Sequence, residues 1–163
     1  MKRALCLLTL FVAALTVSAQ RTQDFAMKFV SQHKADSTIE CVTVSPKMME
    51  QLVQQQVEGR SENIMQAIAK LKSMRIVSAK AEYYEMAEQL LKKNAKRFQP
   101  QKDYEGENAR GAIYTRKNRK GDTVEIIMLH QDTHKERLTI VDLTGDIDEE
   151  FLCFLYNYKT FKN

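Results

Sequence analysis

The sequence predicts an α+β fold: a two-layer sandwich in which helices cover a mixed sheet that ends in a C-terminal three-stranded antiparallel meander. Three observations carry this expectation. Segments of helical period separate the first two strand-like segments. Three alternating apolar segments then follow through short connections, for which antiparallel pairing is the default. The 163 residues hold only two prolines and five glycines, and they show no internal repeat and no low-complexity linker, so a single domain over residues 20–163 is expected.

The elements follow from local pattern. Residues 20–34 predict a short helix, because Phe25, Phe29 and Val30 fall at helical spacing. Residues 37–45 predict the first strand, where Ile39, Cys41 and Thr43 alternate with Glu40, Val42 and Val44. Pro46 suits the first position of a new helix, where no amide hydrogen bond is lost. That helix runs over 47–57 with Met48, Met49, Leu52 and Val53 on one side, until Glu58-Gly59-Arg60 breaks it. Ser61 is the expected N-cap of a helix bearing Ile64, Met65, Ile68 and Leu71. Ile76 and Val77 centre a strand over 74–80. The longest helix spans 81–98, with Tyr84, Ala87, Leu91 and Phe98 facing inward and an acid-first, base-last order that suits the helix dipole. Pro100 ends it, and 103–108 read as a polar loop. Strands follow at 110–117, 123–130 and 136–143, joined by Arg119-Lys120-Gly121-Asp122 and by a turn over 131–135. Gly145 is a break before a last helix capped by Asp146 or Asp148, with Phe151, Leu152, Leu155 and Tyr158 facing the core.

Residues 1–19 have the three-part layout of a secretory signal peptide. Lys2 and Arg3 precede an apolar run over 4–17, and Val17-Ser18-Ala19 offers small residues where a signal peptidase reads. Cleavage after Ala19 is expected, with export to the periplasm. The apolar run is short for a membrane span, so no transmembrane anchor is expected after cleavage. Cys6 lies early in that run, not directly after it, which does not fit a lipid-anchored N-terminus.

Composition excludes some classes. Hydrophobic residues make up 44% and charged residues 28% of the chain, the balance of a globular domain. The net charge of +4 is modest, and Lys2 and Arg3 supply half of it. Its distribution is uneven: residues 92–120 carry ten basic and three acidic side chains, and residues 122–150 carry two and nine. Such a dipolar pattern either steers a charged ligand or favours head-to-tail association, or it reflects charge pairing between neighbouring elements. Cys41 and Cys153 are expected as small buried apolar side chains, with a disulfide permitted by an oxidising compartment.

Three clusters invite chemistry. The first is His130-Gln131-Asp132-Thr133-His134, with Glu136 beyond. On one straight strand His130, Asp132, His134 and Glu136 share a face. Two imidazoles and a carboxylate there would hold Zn²⁺ with a position open for water, the arrangement of a metal-dependent hydrolase. The same residues also sit where the meander needs a turn, which would scatter them into solvent. The second cluster is Asp142, Asp146, Asp148, Glu149 and Glu150 around Gly145. Calcium favours such carboxylates, yet the full ligand spacing of a calcium loop is missing, and capping plus the helix dipole explain the acids. The third is the basic tip Arg116-Lys117-Asn118-Arg119-Lys120, with Lys92, Lys93, Lys96 and Arg97 of the same sign. It suits an anionic glycan, lipopolysaccharide or a membrane surface, or serves to keep a sheet edge from pairing. Nucleic acid is not expected without interleaved stacking aromatics. No Gly-x-Ser-x-Gly elbow, Cys-x-x-Cys pair or phosphate-cradling glycine loop occurs. No catalytic, metal or cofactor-binding residue is therefore assigned, and no cofactor is expected. The methionines Met48, Met49, Met65 and Met74 read as core or as a pliable binding surface.

The layout resembles the domain of unknown function 4252 family, small exported proteins of Bacteroides-type bacteria. The likeness rests on the leader, on residues 64–77 (Ile-Met-Gln-Ala-Ile-Ala-Lys-Leu-Lys-Ser-Met-Arg-Ile-Val), on Gly-Asp-Thr-Val-Glu-Ile-Ile at 121–127, and on Leu-Thr-Ile-Val-Asp-Leu-Thr-Gly-Asp-Ile-Asp at 138–148. The resemblance implies export and one α+β domain, and it brings no catalytic residue. The reading that follows is an exported, non-catalytic binding or sensing protein of the periplasm or cell envelope with a protein partner. The competing readings are the metal-dependent hydrolase at His130, Asp132 and His134, and a carrier for a small apolar or anionic ligand held between sheet and helices.

Overall fold

A computed structural model describes residues 23–56 and 62–157. The elements in chain order are α1 (Phe25–Gln32), β1 (Glu40–Val44), α2 (Pro46–Gln56), α3 (Glu62–Ala69), β2 (Leu71–Lys80), α4 (Tyr83–Lys93), β3 (Gln99–Glu105), β4 (Ala109–Lys117), β5 (Thr123–Asp132), β6 (Arg137–Ile147) and α5 (Glu149–Asn157). The expected leader, Ser61 and Tyr158 lie outside the described residues.

The α+β architecture agrees with the sequence reading, and three features differ from it. First, the six strands form one sheet in the order β1-β2-β6-β5-β4-β3, and every neighbouring pair is antiparallel, so the sheet is not mixed. The reason is the crossover through α4. From β2 to β3 the chain must pass four strand spacings, roughly 19 Å. The 11 residues of α4 span about 16 Å of that distance. The chain then walks back strand by strand until β6 meets β2.

Second, the meander has four strands. Gln99–Glu105 is a strand, reaching into the 103–108 segment that reads as a polar loop in the sequence. This edge strand leaves most of its side chains exposed, so it needs only the backbone ladder to β4 and shows no apolar alternation. Pro100 sits near its start, where an edge tolerates a missing donor.

Third, helices cover both faces of the sheet. On the front face, Phe25, Ala26 and Phe29 of α1 and Tyr84, Ala87 and Leu91 of α4 pack with Phe98 onto Val77, Ala112, Tyr114, Ile127, Leu129, Leu138 and Ile140. On the back face, Met49 of α2, Ala67 and Ile68 of α3 and Phe151 of α5 pack onto Leu71, Ile113, Ile126, Met128, Leu143 and Ile147. Strands buried on both sides read as continuous apolar runs rather than alternating ones. That is why β5 carries Ile126-Ile127-Met128-Leu129, all buried.

Gly145 lies inside β6, not at a break before α5. Its φ is 158°, and a side-chain carbon there would stand 2.6 Å from Leu71 Cα and from Lys70 O. Glycine thus lets the α3–β2 junction close onto β6, where Asp146 N donates to Lys70 O at 3.2 Å. Pro46 opens α2 as its first residue, and Asp148 caps α5 by accepting from Phe151 N at 2.9 Å.

Candidate functional site

The front face hides a polar cluster inside its apolar core. Glu125 of β5 and Asp142 of β6 are 0% and 1% exposed. Cross-strand register puts Asp142 beside Arg75 of β2, and Glu125 beside Arg116 of β4. Alternation then aims all four side chains at α1. The first turn of α1 meets them: Phe25 N donates to Glu125 Oε1 and Ala26 N to Asp142 Oδ2, each at 2.7 Å. Two of the orphan donors at a helix start are thereby satisfied by carboxylates from the sheet. The other Glu125 oxygen is ion-paired to Arg116 Nε. Arg75 is ion-paired to Asp24, which also caps α1 by accepting from Met27 N at 3.0 Å.

Burial, with the Glu125 charge second, pushes the Asp142 carboxyl up from 3.8 to about 8. Burial thus favours the protonated form of Asp142. Its Oδ2 is taken by Ala26 N, and Oδ1 has no partner among the described residues. The cluster can store a proton and clamp a helix. With α1 in place it is closed to substrate. The signal for it was present in the sequence: Glu125 shares its strand side with Ile127 and Leu129, and Asp142 shares its side with Leu138 and Ile140.

The back face holds the second polar feature. Its core ends at a row crossing the sheet through Val42, Ile76, Val141 and Met128. Val42 is 56% exposed, and Ile76 and Val141 are half-buried. The next row runs through Ser78, Thr139, His130, Gly111 and Tyr104. Its side chains on β2, β6, β5 and β3 are half-exposed. Tyr104 lies across Gly111 to reach His130: the phenol meets His130 Nδ1 at 2.5 Å, and the rings stack 6.1 Å apart. Gly111 has no side chain because one would collide with the Tyr104 ring and with Leu129 O. Burial raises the Tyr104 phenol to about 12, so it stays a neutral hydroxyl in its hydrogen bond with His130.

The residues singled out in the sequence mostly stay apart. His130 and Asp132 are in β5, whereas His134 is exposed in the turn after it. His130 is occupied by Tyr104, and Asp132 folds back onto the turn, accepting from Lys135 N at 3.0 Å and pairing with Lys135 Nζ at 3.3 Å. Among the described residues no three His, Cys, Asp or Glu side chains come together to hold a metal. The Asp142-to-Glu150 set divides: Asp142 is interior, while Asp148 caps α5 and pairs with Lys70 Nζ at 3.0 Å. Arg116 is drawn inward from the basic tip to Glu125, while Lys117, Arg119 and Lys120 remain exposed. Cys41 and Cys153 are free thiols. Cys41 packs half-buried against the front core, and Cys153 is exposed on α5 over the back face, so the sheet stands between them. Met49 is core, whereas Met48 is 48% exposed.

Among the described residues no helix is long and apolar enough to cross a membrane. A family model described as domain of unknown function (DUF4252) matches residues 33–152. No curated protein and no solved structure matches the chain.

Proposed function

The chain belongs to the DUF4252 family, and from that premise we propose that it is an exported, non-catalytic protein of the periplasm or cell envelope that binds a protein partner. One observation supports this reading above the others: the back face carries an apolar row ending in the exposed Val42 beside a half-exposed row of Ser78, Thr139, His130 and Tyr104. An apolar strip rimmed by hydroxyls and an imidazole is the composition of a protein-binding surface. The strip runs to β1, an edge strand of five residues with a single charge, Glu40. It carries no lysine or proline of the kind that blunts an edge.

The test is site-specific crosslinking in intact cells. A photoreactive residue is placed at Val42 and, as a control, at the exposed Met86 on α4. A discrete adduct from Val42 and none from Met86 is expected. Equal products at the two sites, or none at either, would overturn the reading. Fractionation of the same cells tests export, which fails if the protein stays in the cytoplasm.

A further inference from the structure

A hollow of about 370 Å³ opens on the front face between α4 and the β3–β4 hairpin, lined by Tyr84, Glu88, Asp103, Glu105 and Arg110. Register explains its charge. Asp103 is paired with Ala112 and Glu105 with Arg110, so both carboxylates lie on the side of the sheet that α4 covers. Tyr84 is 4% exposed. Its hydroxyl has no hydrogen-bond partner among the described residues, and it opens onto the hollow. The ring is buried while the hydroxyl keeps contact with solvent, so a ligand entering the hollow would meet it.

The guanidinium that lines the hollow is already engaged. Arg110 Nε donates to Gln131 Oε1 at 2.6 Å, its Nη2 pairs with Glu85 Oε1 at 2.7 Å, and its guanidinium lies 4.3 Å from the centre of the Tyr84 ring. Glu88 is paired with Lys92 at 2.7 Å. Asp103 and Glu105 have no ion-pair partner among the described residues, so the hollow carries uncompensated negative charge. Its volume is that of a small-ligand site.

We propose that this hollow binds an organic cation, an alkylammonium or guanidinium group, with Asp103 and Glu105 as counter-charges and the Tyr84 hydroxyl as acceptor for its N–H. The ring of Tyr84 already hosts a guanidinium on one face, which is the same chemistry. The site lies on the opposite face of the sheet from the Val42 strip, so either can fail alone. Two sources can supply such a group: a free amine, or an arginine or lysine side chain of a protein.

The experiment is calorimetric titration of the mature protein at low ionic strength with agmatine, N-acetyl-arginine amide and an arginine-bearing peptide. N-acetyl-citrulline amide is the neutral control. Saturable binding of the cations in about the millimolar range is expected, weakened by salt, with none for citrulline. The exposed pair D103N/E105Q should weaken binding about tenfold with the fold intact by circular dichroism, and Y84F should weaken it about threefold. D146N, exposed at the opposite end of the sheet beside the start of β2, should leave it unchanged. A peptide that binds much more tightly than the amide identifies a protein source, and equal affinities identify a free amine. Citrulline binding as well as arginine, or D103N/E105Q binding as well as wild type, would overturn the proposal.

Discussion

Glu125 and Asp142 occupy inward positions on two strongly apolar strands, where an unpaired charge would cost several kcal/mol. Each is made tolerable differently. Glu125 is held between the Arg116 guanidinium and the Phe25 amide. Asp142 accepts the Ala26 amide and holds a proton, because burial raises its pKa from 3.8 to about 8. The sign follows from linkage. A carboxyl whose folded pKa lies above its unfolded value binds a proton on folding. Its stabilising contribution is complete below about pH 4 and is lost as pH rises towards 8. Stability should therefore decline by at least about 1 kcal/mol from pH 5 to pH 8 through this group alone. Asp142→Asn keeps an acceptor for Ala26 and replaces the proton by an amide, so it should flatten that decline. Melting temperatures of both proteins across pH 5 to 9 check this, and parallel curves would refute it.

The helix α1 shows what these residues do at the level of an element. Its eight residues are too few to be helical alone. It is held by three buried side chains, Phe25, Ala26 and Phe29, and by acids that meet its first turn. Asp24 links cap to sheet, since one oxygen caps Met27 N and the other pairs with Arg75. Asp24→Ala removes both and strands Arg75, whose side chain is only 19% exposed. A loss of about 2–4 kcal/mol is expected in urea unfolding, with faster hydrogen exchange confined to α1. Asp24→Asn, which keeps the cap, should lose less. A change under about 0.5 kcal/mol for Asp24→Ala would mean that apolar packing alone seats the helix. Such docking was not legible in the sequence. The periodicity of Phe25, Phe29 and Val30 announces a helix, but the partners of its first turn lie 100 and 116 residues away. The same limit hid β3, whose Gln-Pro-Gln-Lys-Asp-Tyr-Glu is an edge needing backbone only. By contrast α4 announced its inner face at Tyr84, Ala87 and Leu91, because a helix on a core must repeat at its own period.

At the scale of the molecule, one sheet serves two cores. The sequence reading of helices over a sheet was right about class but expected two layers where helices cover both faces, because α1 and α4 on one side and α2, α3 and α5 on the other show the same amphipathic period. Two covered faces show in β5, where Ile126 and Ile127 are consecutive and both 0% exposed. Ile126 belongs to the back core and Ile127 to the front core. They share a backbone but no packing partners, and this makes them a probe of whether the two cores melt together. Ile126→Val and Ile127→Val should each cost about 0.5–1.5 kcal/mol, small enough to keep the fold. If the sheet couples the cores into one unit, the double variant should lose the sum of the two within about 0.5 kcal/mol. It should also unfold in a single transition, with far-ultraviolet dichroism and tyrosine fluorescence coincident. Fluorescence includes the front face, where Tyr84 and Tyr114 are buried. A back-face variant that moves the dichroism transition and leaves the fluorescence behind would show that the layers unfold separately and that the shared strands do not bind them into one cooperative body.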